Sequence, residues 1–120
     1  MQLSEIVYGA ARPIEGYSAS GFRFHSGVIE GAVLVTASRA QVWAGLEDVA
    51  SLLALAGEVD VLLLGMGAQM AYPPKELRQA LEAAGIGFEV MSSPAACRSY
   101  NVLLSEGRRI AAALLPVGQG

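Results

Sequence analysis

Cysteine, histidine and tryptophan occur once each in this chain, as Cys97, His25 and Trp43. A lone cysteine cannot close an intrachain disulfide, and with one imidazole any metal site would rest on carboxylates or a single thiol. No CxxC, HxxE or HExxH spacing is present, so structural or catalytic zinc is not expected. Charge is scarce too: 16% of the 120 residues are charged, with 8 basic against 11 acidic side chains and a net charge of −3. That sign is wrong for a phosphate backbone and no basic run appears, which argues against nucleic acid as a partner. Nor is there a long apolar run. The longest stretch free of charge, Val61 to Pro74, is broken by Gly65, Gly67, Pro73 and Pro74, so the ~20 apolar residues of a membrane-spanning helix are not assembled. The opening MQLSEIVYGAAR carries Glu5 rather than a basic start leading into an apolar stretch. Together with the single thiol, this predicts a cytoplasmic, reducing location.

What the chain does have is apolar residues, 53% of the total, with a mean hydropathy of +0.45. Disorder is excluded by that composition, and a chain of this length holds one core, so residues 1–120 are expected to form a single domain. From about residue 45 onward one local pattern occurs three times. Val49, Leu52, Leu53 and Ala56 recur at helical spacing ahead of Gly57; Leu77, Ala80, Leu81 and Ala84 do so between Pro73-Pro74 and Gly85; Ala96, Tyr100, Leu103 and Leu104 follow Ser93-Pro94 and precede Gly107. Each reads as an amphipathic helix with a start signal or a glycine stop. Ser93 is the expected N-cap of the third helix, and Arg78 and Glu82 are expected to pair on the exposed side of the second.

Each stopping glycine is followed by a short apolar run: Val59 to Leu64, Phe88 to Met91, and Arg109 to Leu115. These read as strands, and the unbroken apolar character of Val61 to Leu64 suits a strand covered on both faces. Earlier, Phe22 to His25 alternates at period two and Ala32 to Thr36 is apolar, so the N-terminal third reads as β with turns at Gly16, Gly21, Gly27 and Gly31. The expected product is a layered α/β domain with a sheet of about five strands and helices packed on it.

Three loops follow strand ends, where open α/β sheets bind ligands: Thr36 to Arg39, Gly65 to Tyr72, and Ser92 to Pro94. Gly65-Met66-Gly67 fails as a dinucleotide fingerprint, because Met70 stands where a third glycine belongs and no acidic residue follows the next strand. It reads as a tight exit from a buried strand, or else as a loop for a small ligand. Ser92 and Ser93 open a helix whose N-terminus would favour an anion, with Arg98 and Arg39 as helpers; the plainer reading of Ser93 is a cap. Cys97 falls inside the apolar arc of the same helix and is expected to be buried and inert, with no acid-base partner in reach. His25 reads as a turn residue. Asn101 lies at the edge of the arc, where its amide would bond a loop or a bound group. Trp43 reads as a large apolar anchor, in the core or at an interface.

Several segments together resemble a known family: Leu62 to Gly67, Pro74 to Arg78, Gly85 to Met91, Ala95 to Leu103, and Glu106 to Arg109, with Gly31 to Val35 and Trp43. The chain is similar in these to a small family of unknown function found in bacteria and archaea. Its eukaryotic members include a mitochondrial complex I assembly factor and an adipogenesis-associated protein. The resemblance implies a three-layer α/β fold: a central mixed, mostly parallel sheet in which one strand runs against the others, plus an additional N-terminal β layer. It implies no catalytic reaction and no cofactor. The family's recurring positions correspond here to Gly65, Gly67, Ala96, Tyr100, Asn101 and Gly107. Family members usually carry a small polar residue between the two glycines; this chain has Met66, followed by Ala68-Gln69-Met70-Ala71-Tyr72.

Two functions remain open on the sequence. One is a non-enzymatic interaction or assembly-factor-like protein that binds a protein partner or itself through an apolar patch of Trp43, Met66, Met70 and Tyr72. The other is a domain or enzyme for a small anionic ligand, held by Gly65, Met66, Gly67, Ser92, Ser93, Arg98 and Asn101.

Overall fold

The computed structural model describes residues 5–7 and 13–119. Its main sheet has six strands, β1 (Glu5–Val7), β5 (Val33–Thr36), β6 (Arg39–Val42), β7 (Val61–Gly65), β8 (Phe88–Met91) and β9 (Ile110–Leu114), in the order β1-β6-β5-β9-β7-β8. A second sheet is formed by β2 (Gly16–Tyr17), β3 (Gly21–Phe24) and β4 (Gly27–Glu30), all antiparallel. Pairing of β7 with β8 and β9 is parallel, while β5 is antiparallel to both β9 and β6, and β1 to β6. The sheet is therefore mixed, with β6, β7, β8 and β9 running one way and β1 and β5 the other. The expected strand at Phe22–His25 lies in the second sheet as β3, and the main sheet gains two strands that were not expected, β1 at its edge and β6 beside it.

Each sheet face makes its own core. Leu63, Ala112, Val33 and Val35 meet α3 (Ser93–Ser105) and the inner side of the second sheet through Phe22, Phe24 and Ile29. On the other face Leu62, Leu64, Ala111 and Ala113 lie under Leu52 and Leu55 beside α1 (Val49–Leu53), and under Leu77 and Leu81 of α2 (Lys75–Ala83). Alternate residues of one strand feed opposite cores, which is why β7 reads as a continuous apolar run. The alanines of β9 let both helical layers approach a central strand. The N-terminal β layer is thus real and shares a face with α3.

Several local expectations shift. The first helix is only five residues long, because after Leu53 the chain tightens into three-residue turns (Leu55 N–H to the Leu52 carbonyl, 3.0 Å; Ala56 N–H to the Leu53 carbonyl, 3.1 Å). Leu55 is consequently buried, and Ala56 and Leu53 are exposed. Its start is capped by Asp48, whose carboxylate accepts from the Ser51 N–H at 3.2 Å and Ser51 Oγ at 2.8 Å, hydrogen bonds that hold that carboxyl below its ordinary range. In α2, Leu77 and Leu81 are buried as expected, but Arg78 and Glu82 form no ion pair, and Arg78 is half-buried. In α3 the cap is Ser92, not Ser93: its Oγ accepts from the Ala95 N–H at 3.3 Å, and Ser93 is the first helical residue. The Thr36–Arg39 loop turns out to be the tip of the β5–β6 hairpin. Because β5 runs against β7, this tip lies at the opposite end of the sheet from Gly65, and Arg39 cannot assist Ser93.

Candidate functional site

Only two of the three strand-end loops come together, those after β7 and β8. Gly65 is fully buried where α3 begins. A Cβ placed on it would stand 2.8 Å from Ser93 Oγ and 2.9 Å from Ser93 Cα, so only glycine lets the helix start this close to the strand. Gly67, at φ +99°, then turns the chain back so that its peptide faces Ser93. The Gly67 N–H donates to Ser93 Oγ at 2.9 Å, and the Ser93 N–H donates to the Gly67 carbonyl at 2.7 Å. Ser93 Oγ donates in turn to the Leu115 carbonyl at 2.6 Å, and the Leu115 N–H returns to the Gly65 carbonyl at 2.9 Å. Met66 N–H donates to the Met91 carbonyl at 2.9 Å. One serine hydroxyl thus ties the exits of β7, β8 and β9 into a single junction.

The helix N-terminus that the sequence offers to an anion is already occupied from within. Ser93 N–H is taken by Gly67, Ala95 N–H by Ser92, and the hydroxyl of Ser93, which is fully buried, has both a donor and an acceptor partner. Arg98 is exposed and lines a groove on the outer side of α3 with Leu63, Glu89, Ser99, Val102 and Leu103. Asn101 serves the fold: its Oδ1 accepts from the Ile14 N–H and its Nδ2 donates to the Ile14 carbonyl, both at 2.9 Å, fastening the segment ahead of β2 to α3. Tyr100, wholly buried, donates from its hydroxyl to the Thr36 carbonyl at 3.0 Å. Cys97 is 5% exposed, and burial pushes its thiol up to about 12 against a weaker opposing pull from the Arg98 charge. A thiol held that high is protonated at neutral pH and is a poor nucleophile. His25 sits in the β3–β4 turn, its Nδ1 3.9 Å from Glu15 Oε2.

Of the four residues expected to form an apolar patch, two are core. Trp43 is 2% exposed, with its Nε1–H donating to the Asp48 carbonyl at 3.1 Å, and Met66 is 8% exposed beneath the α1 and α2 layer. Both point into the face that Leu62 and Leu64 build, where large side chains fill the space above the β9 alanines. Met70 and Tyr72 stand out from the loop, 48% and 78% exposed. The loop that carries them is fixed at one end by the Ser93 junction and at the other by Pro73, which is buried, and Pro74 at the start of α2.

A family model described as a protein of unknown function (DUF498/DUF598) matches residues 14–115, from the Asn101-clamped Ile14 to the Leu115 that closes the Ser93 junction. The chain belongs to this family. An uncharacterised family relative in Rhodobacter capsulatus is 52% identical over 110 residues, covering 92% of this chain and 89% of that protein. NADH dehydrogenase [ubiquinone] 1 alpha subcomplex assembly factor 3 of Danio rerio is 31% identical over 118 residues, covering 92% of this chain and 68% of that one. The crystal structure of an outer membrane protein from Bartonella henselae shares the fold at a TM-score of 0.80 and 33% identity, over 92% of this chain and 98% of that chain. No helix among the described residues here is long and apolar enough to cross a membrane.

The positions that carry the resemblance to the family all do structural work in this chain. Gly65 and Gly67 admit α3, Ala96 lies on its core-facing side, Tyr100 and Asn101 tie it to the β5 hairpin and to Ile14, and Gly107 ends it at φ +77°. Sequence reading missed the groove beside α3; the signal for it was Val102, an apolar residue on the exposed side of the helix, 56% exposed.

Proposed function

We propose that this chain is a non-enzymatic, assembly-factor-like protein that binds a protein partner through the loop bearing Met70 and Tyr72. The observation that carries the reading is the pairing in that loop: two large apolar side chains two residues apart are held in solvent between rigid anchors, and Tyr72, at 78%, is the most exposed large apolar side chain among the described residues. Exposed apolar groups on a fixed support lose little conformational freedom on binding, which favours their use as contacts. The assembly-factor relative supports a role in bringing proteins together. A reducing, cytoplasmic compartment suits a chain whose one thiol is buried without a disulfide partner.

The test is affinity isolation of the chain from its own cells, wild type beside a Met70→Glu/Tyr72→Glu double variant of matched stability. A partner recovered in near-equal amount with the wild type and lost with the variant supports the reading. Recovery of the same proteins with both, or of none with either, refutes it.

A further inference from the structure

At one end of the main sheet stands β8, and among the described residues no strand pairs with its outer edge. Its inner edge is used by residues 87, 89 and 91. Leu62 N–H donates to the Gly87 carbonyl and Met66 N–H to the Met91 carbonyl, with Leu63 level with Glu89 between them. Backbone groups alternate sides along a strand, so Phe88 and Val90 direct both their N–H and C=O groups away from the sheet. Such an edge is a template for a further strand. The side chains of Phe88 and Val90 are half-buried at the fringe of the α2-side core. Glu89 is exposed on the α3 side, at the lip of an open groove of about 390 Å³ that it shares with Leu63, Arg98, Ser99, Val102 and Leu103. Its carboxylate has no hydrogen bond or ion pair among the described residues. Arg98, on α3, lines the same groove, and Glu89 is the one charged residue on the edge strand β8 itself.

We infer that the outer edge of β8 receives an extended segment of a partner protein with apolar–basic–apolar alternation. The basic side chain lies against Glu89, and its apolar neighbours, on the opposite face, extend the fringe formed by Phe88 and Val90. A second copy of this chain is the poorer occupant. Antiparallel self-pairing that uses both outward residues sets Phe88 against Val90 of the other copy. It then places the two Glu89 residues directly opposite in a non-hydrogen-bonded pair, with Cα atoms about 4.5 Å apart. Like charges in that position destabilise a sheet. The carboxylate that discourages self-pairing is thus the group that selects a basic strand. This surface uses none of the residues of the Met70–Tyr72 loop and stands whether or not that loop binds.

The test titrates two capped pentapeptides, Thr-Val-Lys-Val-Thr and Thr-Val-Glu-Val-Thr, into the isotope-labelled full chain, reading amide exchange at Phe88 and Val90 by NMR. The lysine peptide is expected to slow exchange at both amides and to bind about tenfold more tightly than the glutamate peptide. Glu89→Lys is expected to reverse that order, and Glu89→Gln, which leaves the fold undisturbed, to abolish the preference. No protection at either amide up to the solubility limit, or equal binding of both peptides, overturns the inference. Protection that grows with protein concentration alone also overturns it, by showing that a second copy occupies the edge.

Discussion

Replacing Ser93 by alanine removes a single oxygen, yet it strikes the point where three strand exits meet. The Gly67 N–H, 2.9 Å from Ser93 Oγ and buried, loses its acceptor, and the Leu115 carbonyl, 2.6 Å away, loses its donor. An unsatisfied buried group costs about 1–3 kcal/mol, and the Leu115 carbonyl lies in a partly buried setting, so the sum is about 2–4 kcal/mol. Water cannot readily substitute, because the space vacated by one hydroxyl is smaller than a water molecule's share of the liquid, about 30 Å³. With a urea dependence of about 2 kcal/mol per molar, typical for a small domain, the midpoint falls by about 1–2 M at unchanged slope. Trp43 reports the transition well: it is the one tryptophan, 2% exposed, and sits on the opposite face of the sheet from Ser93, so its fluorescence follows global unfolding. Ser92→Ala, which removes one half-buried cap, is the matched control and costs about 1 kcal/mol. A Ser93→Ala midpoint within about 0.3 M of wild type, combined with lost binding of inorganic phosphate, would refute the clamp and restore Ser93 as a ligand donor.

Gly65→Ala forces a Cβ to 2.9 Å from Ser93 Cα and 2.7 Å from Leu114 Cδ2; thermal or urea unfolding is expected to show a loss of about 2–3 kcal/mol, as for an overpacked core. Asn101→Ala leaves both polar groups of Ile14 without partners, so a loss of about 1–2 kcal/mol is expected, with faster amide exchange at Ile14 than at Leu63; unchanged exchange at Ile14 would count against the clamp. Cys97 is expected to react slowly with a thiol reagent in the native protein and fast in urea. Its thiol rises from 9.0 unfolded to about 12 folded, so above pH 9 the unfolded state alone sheds the proton and stability falls as pH climbs through that window; below pH 9 the group contributes no pH dependence. Met70→Glu/Tyr72→Glu is expected to keep stability within about 0.5 kcal/mol of wild type, since both side chains stand in solvent.

The sequence by itself determined what is local. Helical spacing of Leu77 and Leu81, the Pro73-Pro74 start, the Ser-Ser-Pro opening of α3 and the glycine stops at Gly85 and Gly107 depend only on neighbours within a turn or two, and the structure keeps them. The unbroken apolar run of β7 announced a strand covered on both faces. Where local signals competed, tertiary packing decided: Leu55, not Ala56, carries the α1 layer, and Trp43 and Met66 fill the core rather than the surface. Strands with few apolar residues, such as Arg39–Val42, are strands only because β1 and β5 flank them. The direction of β5, which sends Arg39 to the far end of the sheet, cannot be read from composition, since parallel and antiparallel neighbours present the same residues. Ser93, Asn101 and Tyr100 find their partners 22, 87 and 64 residues away in sequence, and the open edge of β8 exists only because the strand order ends there. A local pattern fixes which faces are apolar; only the assembled sheet fixes which hydrogen-bonding groups are consumed and which remain for a partner.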